Sequence, residues 1–289
     1  MGHGIAQVFA RSGHDVRVFD PSAAALSSVH ERIASNLEML DQSQEALRHV
    51  TTHERLDTAV KDAQFVVECG PEDLALKQTI FADIEAAAPG SAILASNTSV
   101  IPISAIMARL RDATRALGAH WWNPPYLIPL VEVIRTAQTS NECIDQTLAL
   151  LHSVGKTPVR VERDVPGFVG NRLQHALWRE AIALVQEGIC DARTVDTVVK
   201  ASFGRRLAVL GPLENADLVG TDLTLAIHQT VLPHLSHSES PLPLLRQLVA
   251  EGKLGMKSGE GFQRWNPDDR AAVGARVLRY LQKLESEMS

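Results

Sequence analysis

Apolar residues in the first half of the chain fall into short β-branched blocks separated by longer stretches of helical spacing. Residues 15–19 form such a block, ending at Asp20. Helical spacing follows over Leu26, Val29, Ile33 and Leu37. The next block, 65–67, ends at Glu68, and a stripe of Leu76, Ile80 and Ile84 follows it. Block 92–95 runs into Ser96-Asn97-Thr98-Ser99, and block 116–119 ends at His120. Residues 131–134 and 158–161 read as further strands. Strands alternating with helices predict a mostly parallel, doubly wound α/β sheet.

The pattern changes at Asp164-Val165-Pro166-Gly167. Beyond it the strand blocks stop, and Leu173, Leu177, Ala181, Leu184 and Val185 mark a strong helical stripe. Helical patterns continue over 191–202, 217–235, 241–251 and 268–287. The expected organisation is an α/β domain over 1–165 and an all-helical domain over 166–289.

Polar residues at strand ends carry the chemistry, because ligands of such sheets bind outside the carboxyl ends of the strands. The opening MGHGIAQVFA looks like the end of a dinucleotide fingerprint, with Gly2 as its third glycine, where a helix N-terminus receives a pyrophosphate. Asp20 follows roughly 20 residues on, where an acid hydrogen-bonds a ribose 2′-hydroxyl. Pro21 comes next and no Arg sits beside Asp20, which favours NAD over NADP. Equally, a glycine-rich helix start and a surface Asp are ordinary structural features.

His120 is followed by Trp121-Trp122-Asn123-Pro124-Pro125, and Glu132 interrupts an apolar strand. A buried Glu is rare without a partner. Paired to an imidazole, it fixes the tautomer and raises the basicity that a reacting alcohol requires. Ser99 reads either as part of a helix cap or as a hydroxyl aimed at substrate. Asn171 reads either as a cap or as a donor to a substrate carbonyl. Lys257, in the glycine-rich GMKSGEGF, lies in an ordinary turn or closes over an anionic ligand.

Taken in order, MGHGIAQVFA, VFD, VVECGPEDLALK, SNTS, HWWNPP, LVEVI, VPGFVGNRL and GMKSGEGF resemble the L-3-hydroxyacyl-CoA dehydrogenase family, from Gly2 to about Trp265. The resemblance implies a Rossmann-type domain followed by a helical, dimerising domain, and an NAD enzyme that oxidises a secondary alcohol to a ketone. It makes His120 the general base, oriented by Glu132, with Ser99 and Asn171 at the substrate. It places Gly2, Asp20, Cys69, Glu72, Lys77, Ser99, Asn123 and Lys257 at the cofactor; Cys69 stands where the family usually has Ala.

Two departures bear on the substrate. Family members that take CoA thioesters usually carry basic residues after the second strand. Residues 36–45 here contain Glu38, Asp41 and Glu45 and no Lys or Arg. The segments NPPYLIPLVEV and GPLENADLVG are more similar to the branch acting on free hydroxy acids, among them lambda-crystallin/L-gulonate, carnitine and pyridine-carboxylate dehydrogenases. The substrate is thus expected to be a CoA thioester or a free acid. A silent NAD-binding relative is the rival from another class, and intact His120 and Glu132 argue against it. The family fingerprint also begins with a strand and two glycines that precede the Met-Gly found here. Met1 is therefore expected to be an internal methionine, with roughly ten further residues before it. An open slot is expected between the strands at 16–19 and 65–67, wider than the ~4.8 Å of a paired ladder.

Composition narrows the partners. The chain has 289 residues, a formal net charge of −6, 45% hydrophobic and 21% charged residues. That is globular composition with no electrostatic footprint for nucleic acid or an anionic membrane. The longest uncharged stretch, 86–108, contains Pro89, Gly90, Asn97 and Pro102 and is no bilayer helix. The chain opens into a helical pattern, not a leader-like one. Three scattered cysteines fit neither a disulfide framework nor a metal knuckle, so a reduced cytoplasmic setting without a structural metal is expected. Leu218, Leu223, Leu225, Ile227, Val231 and Leu232 form an apolar segment expected at a homodimer interface.

Overall fold

A computed structural model of the protein describes residues 1–288, with side chains as far as Leu284. Helix α1 (Gly2–Arg11) opens the chain and leads to strand β1 (Val16–Phe19). Helices α2 (Ala23–Ser27) and α3 (Val29–Met39) precede β2 (Val50–His53). Then follow α4 (Leu56–Val60), β3 (Phe65–Glu68), α5 (Leu74–Ala87), β4 (Ile93–Ser96), α6 (Ile103–Ile106), β5 (Ala116–Trp121) and β6 (Leu130–Ile134). Helix α7 (Asn141–Ser153) and β7 (Thr157–Val161) complete the α/β part.

The strands form two sheets. One holds β1 and β2 in parallel; the other runs β3-β4-β5-β6-β7. All of its neighbours are parallel except β5 and β6, which are antiparallel. β1 and β3 do not pair, so the division falls where the sequence led us to expect an open slot. Helix α1 starts at Gly2, and its Ile5, Val8 and Phe9 share one core cluster with Val16 of β1 and Phe65 of β3. The strand β2 was not evident in the sequence. Its residues are Val-Thr-Thr-His, and only Val50 is buried.

Helix starts are fixed by short polar side chains that accept an otherwise unpaired amide. Ser22 accepts from Ala25, Asp73 from Leu76, Ser140 from Cys143 and Asp191 from Thr194. Fully buried Ile33, Leu37, Leu117, Val133 and Ile144 anchor the core. Each such burial is worth ~1.5–3 kcal/mol.

The chain divides into two compact units. The first is Met1–Arg172 together with residues from Arg279 on; the second is Leu173–Leu278. Helix α8 (Gly170–Gln186) begins in the first and continues in the second. The second unit is helical: α9 (Ala192–Ala201), α10 (Pro212–Val219), α11 (Thr221–Val231), α12 (Pro243–Ala250) and the start of α13 (Pro267–Met288). Its only β features among the described residues are isolated bridges around Glu260. No helix among the described residues is long and apolar enough to cross a membrane.

Candidate active site

The carboxyl ends of β3, β4 and β5 bring Glu68, the 96–99 run and His120 together, because parallel neighbours end on the same side of a sheet. β6 then returns antiparallel, with Glu132 directly opposite His120. Side chains of such a pair share a face at ~4.5–5.5 Å between Cβ atoms. His120 Nδ1 lies 2.8 Å from Glu132 Oε2, with both side chains nearly inaccessible. The other carboxylate oxygen, Oε1, accepts the amides of Val169 at 2.9 Å and Gly170 at 3.0 Å. Burial pushes the Glu132 carboxyl up, but the hydrogen bonds from His120, Gly170 and Val169 outweigh it and hold it below the usual carboxylate value. An ionised carboxylate only accepts, so Nδ1 carries the proton and Nε2 presents its lone pair. Nε2 makes no hydrogen bond among the described residues.

Ser99 sits on the loop after β4, held by its backbone. Its amide donates to Glu72 Oε1 at 2.6 Å, and its carbonyl accepts from Asn171 Nδ2 at 2.8 Å. Thr98 donates its hydroxyl to Glu72 Oε2 at 2.7 Å. The Ser99 hydroxyl makes no hydrogen bond among the described residues. The structure thus brings His120, Glu132, Ser99 and Asn171 into one connected set.

Lys77 is 1% exposed. Its ammonium lies 2.8 Å from Glu68 Oε1 and 3.1 Å from the Gly70 carbonyl, and Ser96 donates to Glu68 Oε2 at 2.8 Å. Lys77 and Glu72 are therefore both engaged with groups of their own chain at the loop after β3. Asn97, flanked by these residues, accepts the Trp121 amide at 2.8 Å. Lys156 donates to the carbonyls of Pro125 and Ile128, which fixes the loop that carries Asn123. Sequence reasoning passed over Glu68 as a partner, and it missed Asn97 and Lys156. An acid at a strand's carboxyl end was the one signal available for Glu68; Lys156 offered none.

The start of α1 fits a dinucleotide. Its N-cap, Met1, makes no side-chain capping bond, and the amides of Gly2 and His3 make no hydrogen bond among the described residues. Gly2 lies against Cys69, 3.9 Å from the Cys69 Cβ measured from a side chain built at Gly2. A Cβ at Gly4 would stand 2.7 Å from Pro125, so only glycine lets α1 approach the Asn123 loop so closely. Asp20, at the end of β1, accepts the Ser22 amide with Oδ1 at 2.8 Å and makes no hydrogen bond at Oδ2 among the described residues. Asn123 and Cys69 are exposed. Lys257 is exposed on a turn of the second unit, between Gly255 and Gly259, both at positive φ.

Comparison with known proteins bears on this arrangement. The family model for the 3-hydroxyacyl-CoA dehydrogenase NAD binding domain matches residues 1–165, and that for the C-terminal domain of the same family matches 167–265. The 5-formyl-3-hydroxy-2-methylpyridine 4-carboxylate 5-dehydrogenase of Mesorhizobium japonicum is 34% identical over 97% of this chain and 93% of its own length. A crystal structure of an enzyme of that name, described as an NAD⁺-dependent dismutase, superposes with a TM-score of 0.91 at 32% identity, covering 99% of this chain and 94% of that one. The (S)-3-hydroxybutyryl-CoA dehydrogenase of Ralstonia eutropha gives 0.76 at 33% identity, covering 92% and 95%. With both family models matched in order, the chain belongs to the 3-hydroxyacyl-CoA dehydrogenase family of NAD-dependent oxidoreductases acting on CH–OH groups.

Proposed function

We propose that this protein oxidises the secondary hydroxyl of a small free hydroxy acid, with His120 as general base. The observation that carries the reading is the 2.8 Å contact of His120 Nδ1 with the buried Glu132 carboxylate. It leaves Nε2 as the acceptor for the substrate hydroxyl proton. Glu132 stabilises the imidazolium formed when that proton arrives. The Ser99 hydroxyl and the second Nδ2 hydrogen of Asn171 donate to the substrate oxygen as the alcohol becomes a carbonyl. NAD, when bound, supplies the hydride acceptor. Its phosphates suit the open amides at Gly2, and its adenosine ribose suits Asp20. Cys69, Ser99 and Asn123 border the nicotinamide end. Glu72 and Lys77 serve that end by holding the Ser99 and Gly70 loops, and Lys257 is the family position left on the second unit.

A free acid is supported by residues 36–45, where exposed Glu38, Asp41 and Glu45 offer nothing basic to CoA phosphates. The same reading is supported by the higher TM-score with the pyridine-carboxylate enzyme than with the hydroxybutyryl-CoA enzyme. We also propose a cytoplasmic homodimer. Three unpaired thiols suit a reducing compartment, and exposed Leu218, Leu223, Leu225, Ile227, Val231 and Leu232 suit an interface.

The test is a panel of 3-hydroxybutyryl-CoA, free 3-hydroxybutyrate, carnitine and gulonate, read by NADH absorbance. A free acid is expected to show the highest kcat/KM, and a CoA ester above every free acid overturns the carrier assignment. His120→Gln is expected to lower kcat by ~10²–10⁴, with NAD affinity unchanged. Near-native turnover in that variant removes His120 as the base.

A further inference from the structure

Four consecutive residues after the Pro166-Gly167 turn grip three parts of the candidate site. Phe168 is 1% exposed, and its ring centroid is 5.6 Å from that of His120 at 53°. Val169 and Gly170 donate their amides to Glu132 Oε1. Asn171 donates to the Ser99 carbonyl. On the far side of this run stands Trp122, whose ring lies 5.3 Å from the His120 ring at 55°. Trp122 packs so tightly on Gly170 that a Cβ there would meet its Cζ2 at 2.4 Å.

The backbone of Phe168 explains how one short run reaches so many partners. Its φ is +51°, the left-handed region that side chains other than glycine seldom adopt. Such a conformation is strained and persists only where the surroundings over-determine it. Here the turn reverses the chain so that the Phe168 ring faces inward while the next two amides converge on one carboxylate oxygen. Glu132 thereby gains two hydrogen bonds from backbone that cannot rotate away, beside the one from His120.

We infer that the 168–171 turn is a positioning clamp for the His120–Glu132 pair, with Phe168 as its principal positioning residue. The amides fix the carboxylate, and the Phe168 and Trp122 rings confine the imidazole, so Nε2 is held in one direction before any ligand arrives. Gly170 keeps Trp122 in contact. This rests on the reading of His120 as the base, but its test does not depend on turnover.

The test uses the full chain with ¹⁵N-labelled histidine. The Nδ1 proton held by Glu132 is expected as a downfield imidazole resonance, assigned by its loss in His120→Gln. Phe168→Leu, with the fold checked by circular dichroism, is expected to broaden or shift that resonance. It should lower turnover on the preferred acid of the panel by up to ~100-fold, the scale of a 1 Å misplacement, with NADH affinity by fluorescence unchanged. Gly170→Ala is expected to do the same by displacing Trp122, and Gly170→Ala with Trp122→Phe, which removes the clashing atom, is expected to restore the resonance. A native resonance in folded Phe168→Leu or Gly170→Ala overturns the clamp, as does failure of the double variant to recover. A resonance that behaves as expected beside an active His120→Gln enzyme overturns the catalytic reading and leaves the clamp standing.

Discussion

The two units of this chain solve the problem of apolar surface in opposite ways. All three apolar core clusters are built from residues of the first unit. That unit also buries ion pairs and hydrogen-bonded hydroxyls at the carboxyl ends of its strands. The second unit buries only Ala183 and Leu248 among its described hydrophobic residues. It leaves Val209 at 84% and Leu213 at 80% exposure. The first is therefore finished by its own side chains, including costly polar ones, whereas the second has helices enough for a domain and too few layers to cover them. Exposed apolar residues on that scale support the proposed association.

The largest expected effect tests the first unit's dependence on its buried charges. Lys77→Met leaves Glu68 charged in a closed site, and removing one partner of a buried pair costs ~3–5 kcal/mol. A large fall in Tm is expected, with recovery in Lys77→Met combined with Glu68→Gln. A Tm within a degree or two of the parent would mean that the pair contributes little and the contrast is overdrawn. Next comes the second unit. Leu225→Asp is expected to weaken the proposed dimer by about 10–100-fold, the scale of an interface hot spot, measured by sedimentation, without changing the circular dichroism. A parent protein that sediments as a monomer at micromolar concentration breaks the comparison from the other side.

A smaller effect concerns acid. Burial, aided by the nearby Arg32 charge, lowers the His3 pKa from 6.5 to about 4. The unfolded chain then binds more protons than the folded one between those values, so stability falls as pH drops from 6.5 toward 4. His3→Gln is expected to flatten the dependence of Tm on pH across that window, and an unchanged slope assigns the loss to other groups. The smallest effect is at the 36–45 segment. Charge reversal at Glu38 and Asp41 is expected to raise kcat/KM for 3-hydroxybutyryl-CoA by roughly fivefold per position, from ~1 kcal/mol per contact in water. No change there would detach this segment from the choice of carrier.

Much of this contrast could be read before any coordinates. Blocks of β-branched residues ending in a polar side chain announce strands whose tips carry chemistry, and Asp20, Glu68 and His120 lie at such tips. β2 escaped because Thr51 and Thr52 are polar and exposed and His53 is half-buried, so the period of an apolar strand is absent. Lys77 looks like a solvent-facing residue of α5, and its burial depends on Glu68 across a loop. The clamp on Glu132 was invisible for a different reason. Backbone amides are the same at every position, and their convergence depends on the Phe168 dihedral rather than on any side chain in the pattern. Asn171 was legible as a cap or a donor to a substrate carbonyl; its bond to the Ser99 carbonyl, 72 positions away, was not.

The divided sheet makes the first unit unequal in its resistance to opening. Among the described residues no backbone hydrogen bond joins β1 to β3, and Ile5, Val8 and Phe9 pack with Val16 and Phe65 across the division. Packing of this kind can slip without breaking a ladder, and cooperative units of a protein open at separate free energies. Solvent deuterium should therefore enter in two tiers. The amides of Val16–Phe19 and Val50–His53 exchange through a local opening, while those of Ile93–Ser96 and Ala116–Trp121 wait for the whole unit to unfold. Asp20 rides on the faster tier and His120 on the slower, so grip on the adenosine ribose can be loosened without disturbing the base.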